Sequence, residues 1–208
     1  MDSTNLLKEH FPELNSEQID LFKKHETLFI DWNQKINMIS RKDIPFFTQR
    51  HVLHSLSIAK LVSFKDETEI LDIGAGGGFP GLPLAIMFPN VQFTLLDSIA
   101  KKTKVMKIIS DELGLSNVKV VNQRAEENHS EYDFIVSRAV APLEKLLRWS
   151  QKNIKKDSKN EVKNGFLCLK GGDLREETAH IKKHIRVYNL SDWYNDPFYE
   201  TKKILHVH

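Results

Sequence analysis

The chain has 208 residues, a single cysteine, and 30 Lys plus Arg against 28 Asp plus Glu, for a formal net charge of +2. That length carries one domain with a proper core and a small helical appendage, and disfavours two full domains. One cysteine excludes an internal disulfide, no run of about 18 apolar residues offers a membrane span, and so mild a charge announces no nucleic-acid partner by its net field. No apolar N-terminal leader is evident either, so the expected location is the cytoplasm.

In chain order, Ile19, Phe22, Leu28, Phe29, Trp32 and Ile36 recur at near-helical spacing, and Asn15 with Gln18 resembles a capping pair. The pattern predicts an amphipathic helix over 15–38. Phe47, Val52, Leu56, Ile58 and Leu61 predict a second over 46–62, before the polar Lys65-Asp66-Glu67-Thr68. Strands and helices then alternate: strand 70–73, helix 81–88, strand 91–96, helix 98–113, strands 118–121 and 134–137, helix 143–154, strand 166–169, helix 174–185. Alternation with apolar strands predicts an α/β fold with a doubly wound, mostly parallel sheet. Segments 187–190 and 204–207 offer a terminal hairpin, which these residues alone leave undecided. The polar segment 155–163 reads as an exposed loop or a flexible insertion. Cys168, in the apolar run Phe166 to Leu169, reads as a buried thiol.

The densest signal is Ile70-Leu71-Asp72-Ile73-Gly74-Ala75-Gly76-Gly77-Gly78-Phe79-Pro80-Gly81, an apolar strand that runs through an acid and a glycine-rich turn into a helix start. Glycines at Gly74, Gly76 and Gly78 let main-chain N–H groups approach a ligand, and the helix start offers further donors. The strand 91–96 ends in Asp97, placed where an acid grips ribose hydroxyls. The pair points to an adenosine-containing ligand. A nicotinamide dinucleotide is disfavoured because Phe79 stands where a third glycine packs helix on strand, and no Gly-Lys-Ser or Gly-Lys-Thr follows to make a P-loop. A cofactor with ribose and adenine but no phosphate remains. S-adenosylmethionine fits, with Asp72 near its amino-acid end and Asp97 at its sugar. Phe79 reads both as a helix-start staple and as an apolar wall beside the cofactor.

Arg138, in Ser137-Arg138-Ala139, ends a strand whose carboxyl edge faces the crevice of an open parallel sheet. It is the leading candidate on the substrate or cofactor side. Lys170, with Gly171 and Gly172, ends another strand at the same edge, where a lysine can meet phosphate. Arg50, His51 and His54 share a helical stretch, but no third ligand of sensible spacing joins the histidines, so no metal is expected. Lys101, Lys102 and Lys104 open a helix beside Asp97, as a solvated face or as a contact for RNA backbone.

The run Asp72 to Ile86, then Leu95-Leu96-Asp97-Ser98 with Lys101-Lys102, then Arg124-Ala125-Glu126-Glu127, Ser137-Arg138-Ala139 and Leu169-Lys170-Gly171-Gly172, resembles the ribosomal small-subunit methyltransferase G family, also called glucose-inhibited division protein B. Trp32 to Ser40 and Arg50-His51 resemble its N-terminal part. The resemblance implies a Rossmann-like S-adenosylmethionine-dependent methyltransferase fold with seven strands, the last antiparallel, over 66–208, and an N-terminal helical extension over 1–65 packed on it. It implies that Ala125 and Glu126 meet the adenine edge. The implied reaction is methyl transfer to N7 of a guanine in the decoding-region hairpin of 16S ribosomal RNA, with the RNA or the small ribosomal subunit as partner, no membrane, no metal and a monomeric enzyme. Guanine N7 carries a lone pair and no proton, so attack needs no general base; Arg138 and Lys170 are then positioning groups. The alternatives are a methyltransferase on another RNA, a protein or a small molecule, and a non-catalytic cofactor-sensing module that binds ribosomes. His54 departs from the family, which usually has aspartate there.

Overall fold

The computed structural model describes residues 3–208. Seven strands form one sheet: β1 (Glu69–Ile73), β2 (Gln92–Asp97), β3 (Val118–Asn122), β4 (Phe134–Arg138), β5 (Gly165–Gly171), β6 (Ile185–Asn189) and β7 (Lys202–Val207), in the order β3-β2-β1-β4-β5-β7-β6. β7 alone runs against its neighbours. The tail thus forms the antiparallel pair that the resemblance implies, with residues 190–201 folded into two 3₁₀ turns between the strands.

Because side chains alternate along a strand, the sheet feeds two cores. Ile70, Phe93, Phe134, Val136, Leu167 and Leu169 point to one face, and Leu71, Ile73, Ile135, Phe166 and Cys168 to the other. The first face is covered by α1 (Ser3–His10), α2 (Ser16–Lys35), α3 (His54–Leu61), α4 (Gly81–Met87) and α5 (Ala100–Leu113). Onto the second pack α6 (Leu143–Ser150) and Leu174, just before α7 (Arg175–Thr178). Leu7, Phe11, Phe22 and Phe29 belong to the same apolar cluster as Phe79, Leu82 and Leu84, so the N-terminal helices share a continuous core with the sheet.

Asn15 and Gln18 close the reciprocal capping box read in the sequence: the Gln18 N–H donates to Asn15 Oδ1 at 2.9 Å, and the Asn15 N–H to Gln18 Oε1 at 3.1 Å. Gln18 Nε2 also donates to the Ile86 and Met87 carbonyls, both at 3.0 Å, which ties α2 to the end of α4. At the other end of α2, Asn33 Oδ1 accepts from the Met38 and Ile39 N–H groups at 2.8 and 2.9 Å. This turn bends the chain back and brings Met38 and Ile39 to the sheet's carboxyl rim.

Three expectations are corrected. The helix over 174–185 shrinks to Arg175–Thr178, since Lys182, Lys183 and His184 supply no apolar stripe to bury. The helix over 46–62 is a wide π turn, Thr48–Leu53, that continues into α3. Segment 155–163 is tied down: Asn160, 8% exposed, accepts from the Lys65 N–H at 2.9 Å and donates to Thr68 Oγ1 at 3.1 Å. Short α1 carries too few apolar residues to stand out in the sequence.

Candidate functional site

β1 and β4 lie side by side at the middle of the sheet, and the connections from their carboxyl ends leave a crevice at this reversal of strand order. A cavity of about 480 Å³ opens there. Its floor is the turn from Gly74 to Gly77. Gly74, Gly76 and Gly78 take φ values of +66°, +56° and +91°, which side chains rarely adopt. At Gly74 a Cβ would also lie 2.5 Å from a Val140 methyl carbon, so the glycine keeps this wall closed to side chains. The turn's amides are mostly committed: Gly74 and Ala75 donate to the Leu96 carbonyl, and Gly78 and Phe79 to that of Ala75.

Asp97 braces the turn from β2. Its Oδ2 accepts from the Gly76 N–H at 2.9 Å and its Oδ1 from the Ile99 N–H at 2.8 Å, which fixes the carboxylate at the cavity wall. Each oxygen keeps a further lone pair for a hydroxyl. Beyond it the wall carries Ile99, 49% exposed, on one side, with Ala125 and Glu126 from the 3₁₀ turn after β3 and with Trp149 from α6.

On the opposite side, Arg138 ends β4. Its guanidinium sits over the Phe79 ring, 4.6 Å from the centroid, and donates to His51 Nδ1 at 3.1 Å. Burial pulls the Arg138 pKa down to about 10, against the attraction of Asp72 and Asp43, so the group is cationic at neutral pH. The next residue, Ala139, has a φ of +54°, a strained conformation for an L side chain. Phe79 is 3% exposed and also meets His25, Phe29, Phe47 and His51, so it is at once wall and core.

Of the residues singled out in the sequence, Gly74, Gly76, Phe79, Asp97, Ala125, Glu126 and Arg138 converge on this cavity. Asp72, Gly78 and Lys170 are not among the residues lining it. Asp72 is fully buried behind the turn, where Oδ2 accepts from the Gly81 N–H at 2.8 Å. It fixes the start of α4 and stands back from the position assigned to it near a ligand's amino-acid end. Burial raises its pKa to about 7, with partial relief from the Gly81 N–H and Arg138. Gly78 packs under Leu82. The Lys170 ammonium is committed to Glu177 Oε1 and to the Ala141 carbonyl, both at 2.6 Å, so it is not a free cation for phosphate.

Other residues escaped the sequence reading. Met38 and Ile39 close the cavity from the N-terminal side and Val140 from above, but only the chain path brings them there. His25, fully buried and without a hydrogen-bond partner among the described residues, was legible in principle: Phe22, His25 and Phe29 follow the i, i+3, i+7 spacing of a buried helix face. Burial lowers its pKa to about 3 and keeps it neutral.

Comparison with known proteins agrees with this geometry. A family model described as rRNA small subunit methyltransferase G matches residues 18–197. The chain is 52% identical to the ribosomal RNA small subunit methyltransferase G of Flavobacterium psychrophilum, over 95% of this chain and 94% of that one. It is 48% identical to that of Phocaeicola vulgatus, over 97% of each. Among solved structures, a SAM-dependent methyltransferase from Aquifex aeolicus superposes with a TM-score of 0.58 at 15% identity, over 80% of this chain and 95% of that one. Aeropyrum pernix fibrillarin, solved with natively bound S-adenosyl-L-methionine, superposes with a TM-score of 0.52 at 12% identity, over 75% and 74%. The fold is that of the S-adenosylmethionine-dependent methyltransferases, and the chain belongs to the ribosomal RNA small subunit methyltransferase G family.

Proposed function

We propose that the protein transfers a methyl group from S-adenosylmethionine to N7 of a guanine in 16S ribosomal RNA, in the decoding-region hairpin of the small subunit. The observation that carries the cofactor is Asp97, a carboxylate tied by two main-chain N–H groups at the wall of a cavity floored by a glycine-rich turn. A ribose fits there, because its hydroxyls find fixed acceptors, and an adenine fits between Ile99 and the Ala125–Glu126 turn. The floor from Gly74 to Gly77, with Phe79 and Arg138 beyond it, holds the amino-acid end, and Asp72 and Gly78 act from behind by shaping the turn. When bound, the cofactor supplies a methyl on a positively charged sulfur, which passes to the N7 lone pair while the S–C electron pair stays on sulfur.

The chain's own task is placement. N7 carries no proton, so no residue has to remove one, and the rate rests on orientation and exclusion of water. Arg138 is held at the rim by Phe79 and His51 and positions donor against acceptor. Lys170 acts at one remove, through Glu177. Lys102 at the cavity edge, with Lys101 and Lys104, adds charge for RNA phosphates. Residues 1–65 act as a helical extension of the catalytic body 66–208, and the enzyme works as a monomer in the cytoplasm, on the 16S RNA or the assembled small subunit.

The test is incubation with tritiated S-adenosylmethionine and separate small-subunit, RNA, protein and metabolite fractions from cells lacking the enzyme. Label in small-subunit RNA that becomes a strand break after reduction and alkali supports the reading. Label confined to protein or metabolites, or cofactor binding with no transfer, overturns it.

A further inference from the structure

A second cavity of about 370 Å³ adjoins the first, and Arg138, Ala139 and Val140 line both. The partition between them is thus the strained end of β4, capped by Val140, which is 41% exposed. Glu177 and His54, both lining this space, each keep a polar atom without a partner among the described residues. Glu177 uses Oε1 twice, for the Lys170 ammonium and for the Leu143 N–H, each at 2.6 Å, and its Oε2 has no partner among the described residues. His54, 7% exposed, makes a hydrogen bond to the Arg50 main chain, while its Nε2 is buried and has no partner among the described residues. Burial above all, then the charges of Arg138 and Lys202 and the nearby His51, hold the imidazole far below its ordinary pKa. The neutral ring keeps one nitrogen as a hydrogen-bond acceptor. Lys202 lines the same cavity.

A ligand for this space presents N–H donors on one edge and acceptors on the next. Guanine does so: N1–H and the exocyclic amine form the donor edge, and O6 adjoins N7. Adenine places a bare ring nitrogen where guanine has N1–H, which a carboxylate repels.

Resting on the methyl-transfer reading above, we propose that this second cavity is the acceptor-base pocket, in which Glu177 Oε2 and the neutral His54 ring select guanine by its donor edge while Lys202 and Arg138 meet O6. The base enters unstacked, as recognition at a Watson–Crick edge requires. As N7 gains the methyl, positive charge spreads over the purine and N1–H becomes a stronger donor. The carboxylate of Glu177 therefore stabilises the transition state more than the bound substrate.

The experiment compares wild type, Glu177→Gln and His54→Leu on small subunits from cells lacking the enzyme, bearing either guanine or adenine at the position that wild type labels. Cofactor affinity is followed by calorimetry. Glu177→Gln keeps an oxygen for Leu143 and turns an amide donor toward the base. The expected result is a fall in kcat/KM on guanine of about 10²-fold for Glu177→Gln and about tenfold for His54→Leu, with cofactor affinity kept and the preference for guanine over adenine narrowed. Should one variant fail to fold, the other carries the test. Wild-type kcat/KM and base preference in a folded variant overturn the pocket while leaving the methyltransferase reading intact. Absence of RNA labelling by wild type overturns that reading itself.

Discussion

Arg138 donates to His51 Nδ1 at 3.1 Å, and because a guanidinium has only donors, the imidazole proton must sit on Nε2. Burial first, and then the Arg138 charge, lower the His51 pKa to about 3, so the ring stays a neutral acceptor across the physiological range. With Phe79 beneath it, the guanidinium has its position set by two aromatic groups from different elements.

Arg138→Ala is therefore expected to lower turnover about 10²-fold, the cost of misplacing reacting groups by roughly an ångström. Tritium transfer to small subunits measures it, and a cooperative thermal melt confirms that the sheet is intact. Unchanged turnover would remove Arg138 from the site.

The glycine turn separates two kinds of cost. At Gly76 the nearest atom to an added Cβ is the Gly74 carbonyl oxygen at 3.7 Å, so Gly76→Ala pays mainly for its positive φ, about 1–2 kcal/mol. Gly74→Ala adds the collision with Val140. Calorimetry with S-adenosylmethionine should show weaker binding for both, with Gly74→Ala the worse, and Gly76→Val weaker still than Gly76→Ala. Equal, wild-type affinities would refute the cradle.

Acid should unfold the protein early. His25 goes from 6.5 when unfolded to about 3 in its apolar cage, so the unfolded chain binds the extra proton and stability falls as pH drops from about 6.5 toward 3. His51 acts in the same direction. Asp72, raised from 3.8 to about 7, works oppositely and loses stability as pH rises through that range, but it stands against His25, His51, His54 and His206, all lowered by burial. His25→Phe should flatten the acid limb by about 1.4 kcal/mol per pH unit in the window between about 3 and 6.5. Urea titrations at several pH values read this slope, and an unchanged slope would mean that His25 is protonated in the native state.

Cys168 is fully enclosed on β5, and burial pushes its pKa up to about 12. An aromatic disulfide reagent should therefore modify it only at the rate of unfolding, with full reaction in denaturant. Fast labelling of native protein would contradict the packing of the second face.

Much of this architecture was legible because it rests on local pattern. Apolar runs gave the strands to within a residue or two, the Asn15–Gln18 pair marked the start of α2, and the glycine turn with Asp97 marked the cavity. What stayed hidden depends on contacts distant in sequence. Nothing near Lys170 tells that its charge is neutralised by Glu177, a residue shared with the Leu143 N–H from another connection. Asp72 looks like a ligand group because it adjoins the glycines, yet strand alternation turns it inward to Gly81. His51 and His54 share one helical stretch in the sequence, and only tertiary packing strips them of water.

The order of β5, β7 and β6 bears on how the chain matures during synthesis. β6 meets the sheet only through β7, which follows it in sequence. As the polypeptide leaves the ribosome, β5 remains an unsatisfied border, and Ile185–Asn189 waits without a neighbour until Lys202–Val207 has emerged to join them. The joining of β6 to the sheet is thus a long-range insertion, made by an enzyme whose family acts on the machine that translates it.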